Sequence, residues 1–344
     1  MHSPQNESKQ RLAEEVHRYF TEAGLSSKGS LALHAKPFIF IPLLCVSYWG
    51  LVFSSQDWRS VVAWSAGMVF AMGGIGFGYA HDACHGAFST QRWRNRLAGW
   101  GYDLIGGSSY VWTWKHNVLH HRHPNQSLAD PDVQTRPFLR LSATQERWWF
   151  HRFQQYYFPL LYLFIGLRWQ LWQDFATYFR GELVGKKFQR PRGLDFLVFW
   201  GGKLSFFCFA FVLPCWLHPW PRVLVVYLGI IACLGLVLGL ILQVAHCTEG
   251  AAQDKAGPPG SSEVQIESTS NYCSENKFLT WYTGGLNFHI EHHLFPSTAS
   301  VHYPALSTFV QAYCMRQQII YRSYPTYRQT FAAHFRHLRE LGRR

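Results

Sequence analysis

The sequence predicts an all-α integral membrane protein: four transmembrane helices in two hairpins, interfacial helices, and a cytoplasmic cap rich in histidine. Three observations predict it. Only 15% of the 344 residues are charged, 48% are hydrophobic and 17% aromatic, whereas about 25% of an average soluble domain is charged. Four apolar runs approach the ~20 residues that a helix needs to cross the hydrocarbon core of a bilayer. Histidine pairs follow the ends of those runs or fall in the polar sections between them.

In chain order, residues 9–20 place Leu12, Val16 and Phe20 at a spacing of four, which predicts an amphipathic helix at the membrane surface or packed on the body of the protein. Gly29 and Ser30 close that region. The first 35 residues are polar and charged, unlike a cleavable signal peptide. Apolar runs at 37–54 and 61–80 are joined by the short link SQDWRS, so they form an antiparallel hairpin. Residues 81–195 are polar and aromatic. Within them, Arg92 to Ile105 and Trp148 to Tyr178 read as helices lying on the surface, because Arg152, Arg168 and Asp174 interrupt the second segment. Tyr156, Tyr157, Tyr162, Trp169 and Trp172 suit an interfacial belt. A third run, 196–217, carries the single interior charge Lys203. A fourth, 223–245, leads straight into His246, with LHPWPR between the two. Residues 246–344 are polar. They contain a flexible patch at GAAQDKAGPPGSS and end in an amphipathic helix around Phe331, Phe335, Leu338 and Leu341. One membrane domain over 1–344 accounts for all of this, with its cap formed by 81–195 and 246–344.

Charge sets the expected orientation. Of the 32 Lys and Arg residues, only Arg59 and Arg222 lie in the short outer connectors. Both termini and the histidine-bearing sections are therefore expected on the cytoplasmic side. A net charge of +12 suits an anionic membrane surface. With no compact Lys/Arg run and no nucleic-acid motif, a nucleic-acid partner is not expected. The eight cysteines form no CxxC pair, and four fall in apolar stretches, as reduced packed thiols do.

The histidines carry the chemistry. HDACH holds His81 and His85, four apart. HNVLHH holds His116, His120 and His121. His246 stands alone at the end of the fourth run. GGLNFHIEHHLFP holds His289, His292 and His293, and offsets of three and four share one helix face. Nine imidazoles on one predicted side exceed the four ligands of a single zinc and match two metals with four or five each. With few carboxylates and almost no thiolate, the site excludes iron–sulfur clusters and differs from soluble carboxylate-bridged di-iron bundles. Two irons fit best, while copper and zinc remain open on the residues alone. Asp82, Asp130, Asp132, Glu249 and Glu291 are near enough in sequence to orient the imidazoles. His123, His151 and His302 fall outside the spacings.

These motifs resemble the membrane fatty acid desaturases. The resemblance rests on HDACH (81–85), HNVLHH with the following PN and DPD, His246 in QVAHCTEG, and GGLNFHIEHHLFP followed by VHYPAL (301–306). It extends over nearly the whole chain and is greatest to the bacterial acyl-lipid or linoleoyl-CoA branch. Front-end members commonly carry Gln where this chain has His289. The resemblance implies His81, His85, His116, His120, His121, His246, His289, His292 and His293 as ligands of two Fe ions. It also implies O2 as co-substrate and a fatty acyl substrate on lipid, CoA or acyl carrier protein. The reaction is then the removal of two hydrogens from neighbouring methylenes. An unactivated C–H bond offers nothing to an acid, base or nucleophile, and selectivity among methylenes must come from a bent apolar tunnel. The Gly-rich stretch 73–78 allows close approach of chain or helix, with ordinary helix packing the simpler expectation.

The chain carries no flavin, nicotinamide or haem motif, so a separate electron donor is expected, a ferredoxin or a small cytochrome. Lys186, Lys187, Arg190, Arg192 and the tail from Arg336 to Arg344 offer a basic face, which membrane attraction explains equally well. Two other outcomes use the same scaffold, hydroxylation and triple-bond formation. A histidine-lined metal transporter is a non-enzymatic alternative, but transporters set their ligands within the spans, and here the histidines follow the helix ends.

Overall fold

A computed structural model describes residues 4–344 except Gln56, Ala256 and Pro259. Part of the expected flexible patch therefore lies outside the described residues. Helix α1 (Pro4–Glu22) precedes four helices long and apolar enough to cross a membrane. Two of these are α2 (Leu31–Ser54) and α3 (Trp58–Cys84). After a helix over Ser109–Thr113 (α4) and one over Gln154–Arg168 (α5) come the other two, α6 (Leu194–Leu217) and α7 (Trp220–His246). The short α8 (His289–Leu294), then α9 (Tyr303–Gln317) and α10 (Tyr327–Arg343), complete the chain.

The long helices begin earlier than the apolar runs because caps and charged residues belong to them. Ser30 Oγ accepts the Leu33 N–H and starts α2 six residues before Pro37. Asp57 caps α3 through the Arg59 and Ser60 N–H groups. Lys36 is inside α2, buried, with its ammonium donating to Gly78 O (3.0 Å) and Trp281 O (2.6 Å). Helix α3 runs on through the first histidine pair as far as Cys84, its Gly76–Ala80 segment π-wound. Lys203, the interior charge of α6, is buried in an ion pair with Asp174 (2.6 Å) and also donates to Gly106 O. A charge inside an apolar helix requires such a partner.

Glycines permit close contact in the α2–α3 pair. A Cβ at Gly74 would overlap the Phe40 ring, and one at Gly67 would overlap Ser47. The stretch 73–78 thus serves mostly helix packing, as the simpler expectation had it. Gly284 has φ +60°, and a Cβ there would overlap the carbonyl oxygen of Phe77. Gly284→Ala is expected to lower stability by about 2 kcal/mol or more, combining left-handed strain with that overlap. A melting temperature in detergent equal to that of the parent protein would contradict it.

Trp148 to Tyr178 is helical, as expected, and is not one of the four helices long and apolar enough to cross a membrane, but it is packed closely on one of them. Helix α5 continues through Trp169–Gln173 and Asp174–Arg180 and lies lengthwise on α7. Gly235 faces the Tyr162 carbonyl, Gly239 the Tyr162 ring, and Gly166 the Ile231 carbonyl. Small residues on both helices allow this approach, and hydropathy averaging does not register them. The opposite face of α5 exposes Tyr156, Leu160, Phe164 and Trp172.

Helix α1 packs on the body, with Leu12, Val16 and Phe20 buried against Ile266, Ile290, Tyr303 and Leu306. Helix α10 buries Leu338 and Leu341, and its His334 accepts or donates at Tyr162 Oη (2.8 Å). In the expected flexible patch, Asp254 is anchored by the Ser127 N–H (2.6 Å) and Thr144 Oγ1 (2.7 Å), and a helix follows at Ser262–Glu267. On the basic face, Arg190 donates to the Tyr178 and Phe179 carbonyls, Arg336 pairs with Glu249, and Arg344 pairs with Glu340.

Candidate metal centre

All nine histidines singled out in the sequence meet in one buried cluster at the ends of α3 and α7. Three local devices bring them there. Helix α3 delivers His81 on its last turn, with His85 one turn on. Beyond α4 the chain is π-wound over Trp114–His120, and the His121 N–H donates to His116 O at 2.9 Å. In an α-helix an offset of five turns a side chain by about 140°. The wider winding returns His121 to the face that His116 and His120 share, as π-turns at functional sites do. In α8, offsets of three and four align His289, His292 and His293.

The ring nitrogens fall into groups. One is His81, His85, His116 and His292; another is His120, His246, His289 and His293. Within each group the donor atoms lie within 4.8 Å of one another. His121 stands between the two, with Nε2 3.1 Å from His116 Nε2 and 3.0 Å from His292 Nε2. His289 and His246 approach to 2.8 Å through Nε2, and His120 and His246 to 3.1 Å. Trp112 stacks on His116 at 4.4 Å and meets His81 and His85 edge-on.

While Nε2 atoms converge, Nδ1 atoms are held from behind. His120 Nδ1 lies 3.0 Å from Asp130 Oδ2, His293 Nδ1 2.7 Å from Gln265 Oε1, and His289 Nδ1 3.0 Å from Leu286 O. His246 and His292 meet Ser268 O and Tyr303 Oη, both at 3.3 Å. Such partners fix tautomer and ring orientation in metal sites. Asn125 adds a knot, donating from Nδ2 to His246 O, Ala252 O and Ser268 O.

Of the five carboxylates expected near the rings, Asp130 bonds one directly. Asp82 Oδ1 is 4.0 Å from His81 Nδ1, and its Oδ2 accepts from the Ser300 N–H and hydroxyl. Asp132 pairs with Lys115 (2.5 Å) and sits 3.6 Å from His120 Nδ1. Glu291 is buried beneath the cluster but takes Asn271 and Tyr321, not a histidine. Glu249 is the correction: exposed and paired with Arg336, it lies away from the rings because the chain turns outward after His246. Gln265, Ser268, Leu286 and Tyr303 were missed. Leu286 and Tyr303 lie within the histidine-bearing motif segments, but Ser268 and Leu286 act through backbone carbonyls, which no side-chain pattern marks. His151 is occupied elsewhere, by the Trp148 N–H and Pro137 O.

The donor set fits metal. Burial first, and repulsion between neighbouring rings second, hold His85, His116, His121, His292 and His293 well below the usual imidazole range, and His289 down to about 3. These rings are neutral at pH 7, as ligation requires. His120 is the exception: burial opposes its protonation, but Asp130 and Asp132 together outweigh burial and raise it. His85 Nε2 and His293 Nε2 are buried without a hydrogen-bond partner, atoms that a metal would satisfy. Burial also pushes Glu291 up to about 7, against its bonds to Asn271 and Tyr321.

The depressed histidines carry a sign. Below about pH 6.5 the unfolded chain takes up protons at these rings and the folded chain does not, so stability rises with pH. Metal-free protein is therefore expected to melt at a lower temperature at pH 5 than at pH 7. A higher melting temperature at pH 5 would contradict the neutral cluster.

A cavity of about 810 Å³ opens beside the rings. His81, His116, His120, His246 and His289 line one part of it, and much of the rest is apolar: Tyr102, Trp112, Leu161, Trp169, Leu234 and Leu238. Gly73 and Gly76 line it too, so part of the Gly-rich stretch does face the cavity. A volume of this size suits a long small-molecule chain.

Long apolar helices that carry converging neutral imidazoles at one end, beside an apolar cavity, define a membrane protein built around a histidine-rich site consistent with a metal centre. Sequence comparison narrows the class. A family model described as "Fatty acid desaturase" matches residues 57–325. The sn-1 linoleoyl-lipid 6-desaturase of Synechocystis sp. is 30% identical, the match covering 96% of this chain and 94% of that protein. An acyl-lipid (8-3)-desaturase of Physcomitrium patens is 32% identical, over 86% of this chain and 63% of that one. A second sn-1 linoleoyl-lipid 6-desaturase, from Arthrospira platensis, is 26% identical over 97% and 92%. The chain belongs to the fatty acid desaturase family, and it is an oxidoreductase that desaturates acyl chains.

Proposed function

We propose that the nine histidines hold two irons, that O2 is the co-substrate, and that the chain inserts a double bond into the acyl chain of a membrane lipid. One observation carries the reading: two groups of four imidazoles, with His121 between them, present His81, His116, His120, His246 and His289 to a largely apolar cavity. When bound, two irons would supply, with dioxygen and two electrons, the oxidising power to remove hydrogens from two adjacent methylenes. His81, His85, His116 and His292 would hold one, and His120, His246, His289 and His293 the other, with His121 beside both. The protein's part is positioning. Tyr102, Trp112 and Trp169 exclude water and fix which methylenes lie under the rings. Asp130 and Gln265 keep His120 and His293 from rotating away.

The electrons come from a separate carrier, a ferredoxin or small cytochrome. The charge distribution supports a multi-pass topology with both termini and the histidine site on the cytoplasmic side. Residues 1–344 act as a single domain, since α1 and α10 both pack on the elements that carry the rings. The names of the Synechocystis and Arthrospira relatives support a lipid-linked acyl substrate. The test is expression in a host supplied with defined fatty acids, followed by double-bond mapping of its lipids. New double bonds at one position are expected. Hydroxylated or triple-bonded products would replace the desaturase reading with its nearest alternatives.

A further inference from the structure

The cavity has a second end, and its chemistry differs from that of the rings. Phe138, Phe164, Arg168 and Trp172 line the cavity and are also exposed on the surface. Three of these continue the exposed stripe of α5, in which Tyr156, Leu160, Phe164, Arg168 and Trp172 recur every four residues. The cavity therefore opens on a face of aromatic and aliphatic side chains, the kind of surface that meets lipid. Two arginines stand at that opening, Arg136 and Arg168, both exposed and both lining the cavity. Among the described residues neither is in an ion pair. Arg168 only donates from Nη1 to Gln134 O at 3.5 Å, and the third cation there, Lys115, is neutralised by Asp132 at 2.5 Å. Arg168 also acts on Asp132 at longer range, so one carboxylate, Asp132, faces the three cations Lys115, Arg136 and Arg168, and the opening keeps an excess of positive charge in an apolar rim.

Resting on the desaturase reading, we propose that Arg136 and Arg168 form a phosphate-binding subsite at a lipid-facing mouth, and that the substrate is the acyl chain of a phosphate-bearing glycerolipid. The two guanidiniums hold the headgroup phosphate through charge-assisted hydrogen bonds. Their alkyl stems lie among the aromatic rim, as arginines at a bilayer surface do. The acyl chain passes inward along the wall that α5 and α7 give the cavity, to the histidines. A phosphate also occurs in acyl-CoA, which reaches the enzyme from water. The apolar rim favours the lipid source.

The test uses purified, metal-loaded enzyme with a matched electron supply in detergent. It receives phosphatidylglycerol and diacylglycerol with identical acyl chains in competition, and in a separate arm phosphatidylglycerol with acyl-CoA. Phosphatidylglycerol is expected to be desaturated about tenfold or more in preference to diacylglycerol. In R136Q/R168Q that ratio falls towards one, and R136K/R168K keeps part of it. Phosphatidylglycerol retained through gel filtration, measured as phosphorus per chain, falls in the same order. This second readout needs no turnover, so if the parent enzyme desaturates neither lipid, the desaturase reading fails while retention still decides the subsite. Equal preference and equal retention in parent and R136Q/R168Q would overturn the proposal. So would preferential conversion of acyl-CoA.

Discussion

Replacing His292 with alanine is expected to abolish double-bond formation and to strip metal from the protein. His292 is fully buried and belongs both to the group of His81, His85 and His116 and to that of His121 and His293. Its Nε2 lies 3.0 Å from His121 Nε2, so losing it opens the seam between the two halves of the cluster. Even the partners behind metal ligands typically change affinity or activity by about 10–100-fold. The loss here should exceed about a hundredfold, with bound metal falling together with turnover. Alanine also leaves a void and removes the contact to Tyr303 Oη. His292→Gln, which fills more of the space, separates ligation from packing. It should restore the melting temperature without restoring metal. Full activity in either variant would break the ligand assignment.

Asp130→Asn should weaken metal binding about 10–100-fold and leave the fold in place. Asp130 is wholly buried and holds three groups: His120 Nδ1 at 3.0 Å, and the Asn125 and Asp132 N–H groups, both at 2.9 Å. Asparagine keeps the shape and one oxygen acceptor. It loses the charge that, with Asp132, raises His120 above the usual imidazole range, and it offers an N–H where His120 needs an acceptor. His120 then turns or changes tautomer, and its Nε2 leaves the group it shares with His246, His289 and His293. Chelator competition on purified protein measures the effect. Glu249→Gln, an exposed change at the Arg336 pair, serves as the control and should leave metal affinity as it was. Equal affinity in Asp130→Asn and the parent would remove Asp130 from the site.

The histidines were legible because ligand chemistry forces a residue type and helix geometry forces a spacing. His81 with His85, and His289 with His292 and His293, follow from one α-helical face. His116, His120 and His121 do not, since an α-helix would turn His121 away. Their meeting depends on π-winding, which no propensity scale signals. The four apolar helices were readable from composition, but their starts were not. Ser30 and Asp57 set them through caps, and Lys36 and Lys203 are tolerated inside because distant partners, Trp281 O and Asp174, satisfy them. The contact between α5 and α7 was hidden because Gly166, Gly235 and Gly239 carry no hydropathy signal, yet the two helices together line the cavity. Gln265 and the carbonyls of Ser268 and Leu286 were invisible for a simpler reason: orienting a ring needs only an acceptor, and any backbone supplies one.

Metal analysis of the protein purified from iron-replete cells tests the central claim most directly. About two irons per chain are predicted, with both lost when His121 or His292 is replaced. One zinc per chain and no iron would contradict the account.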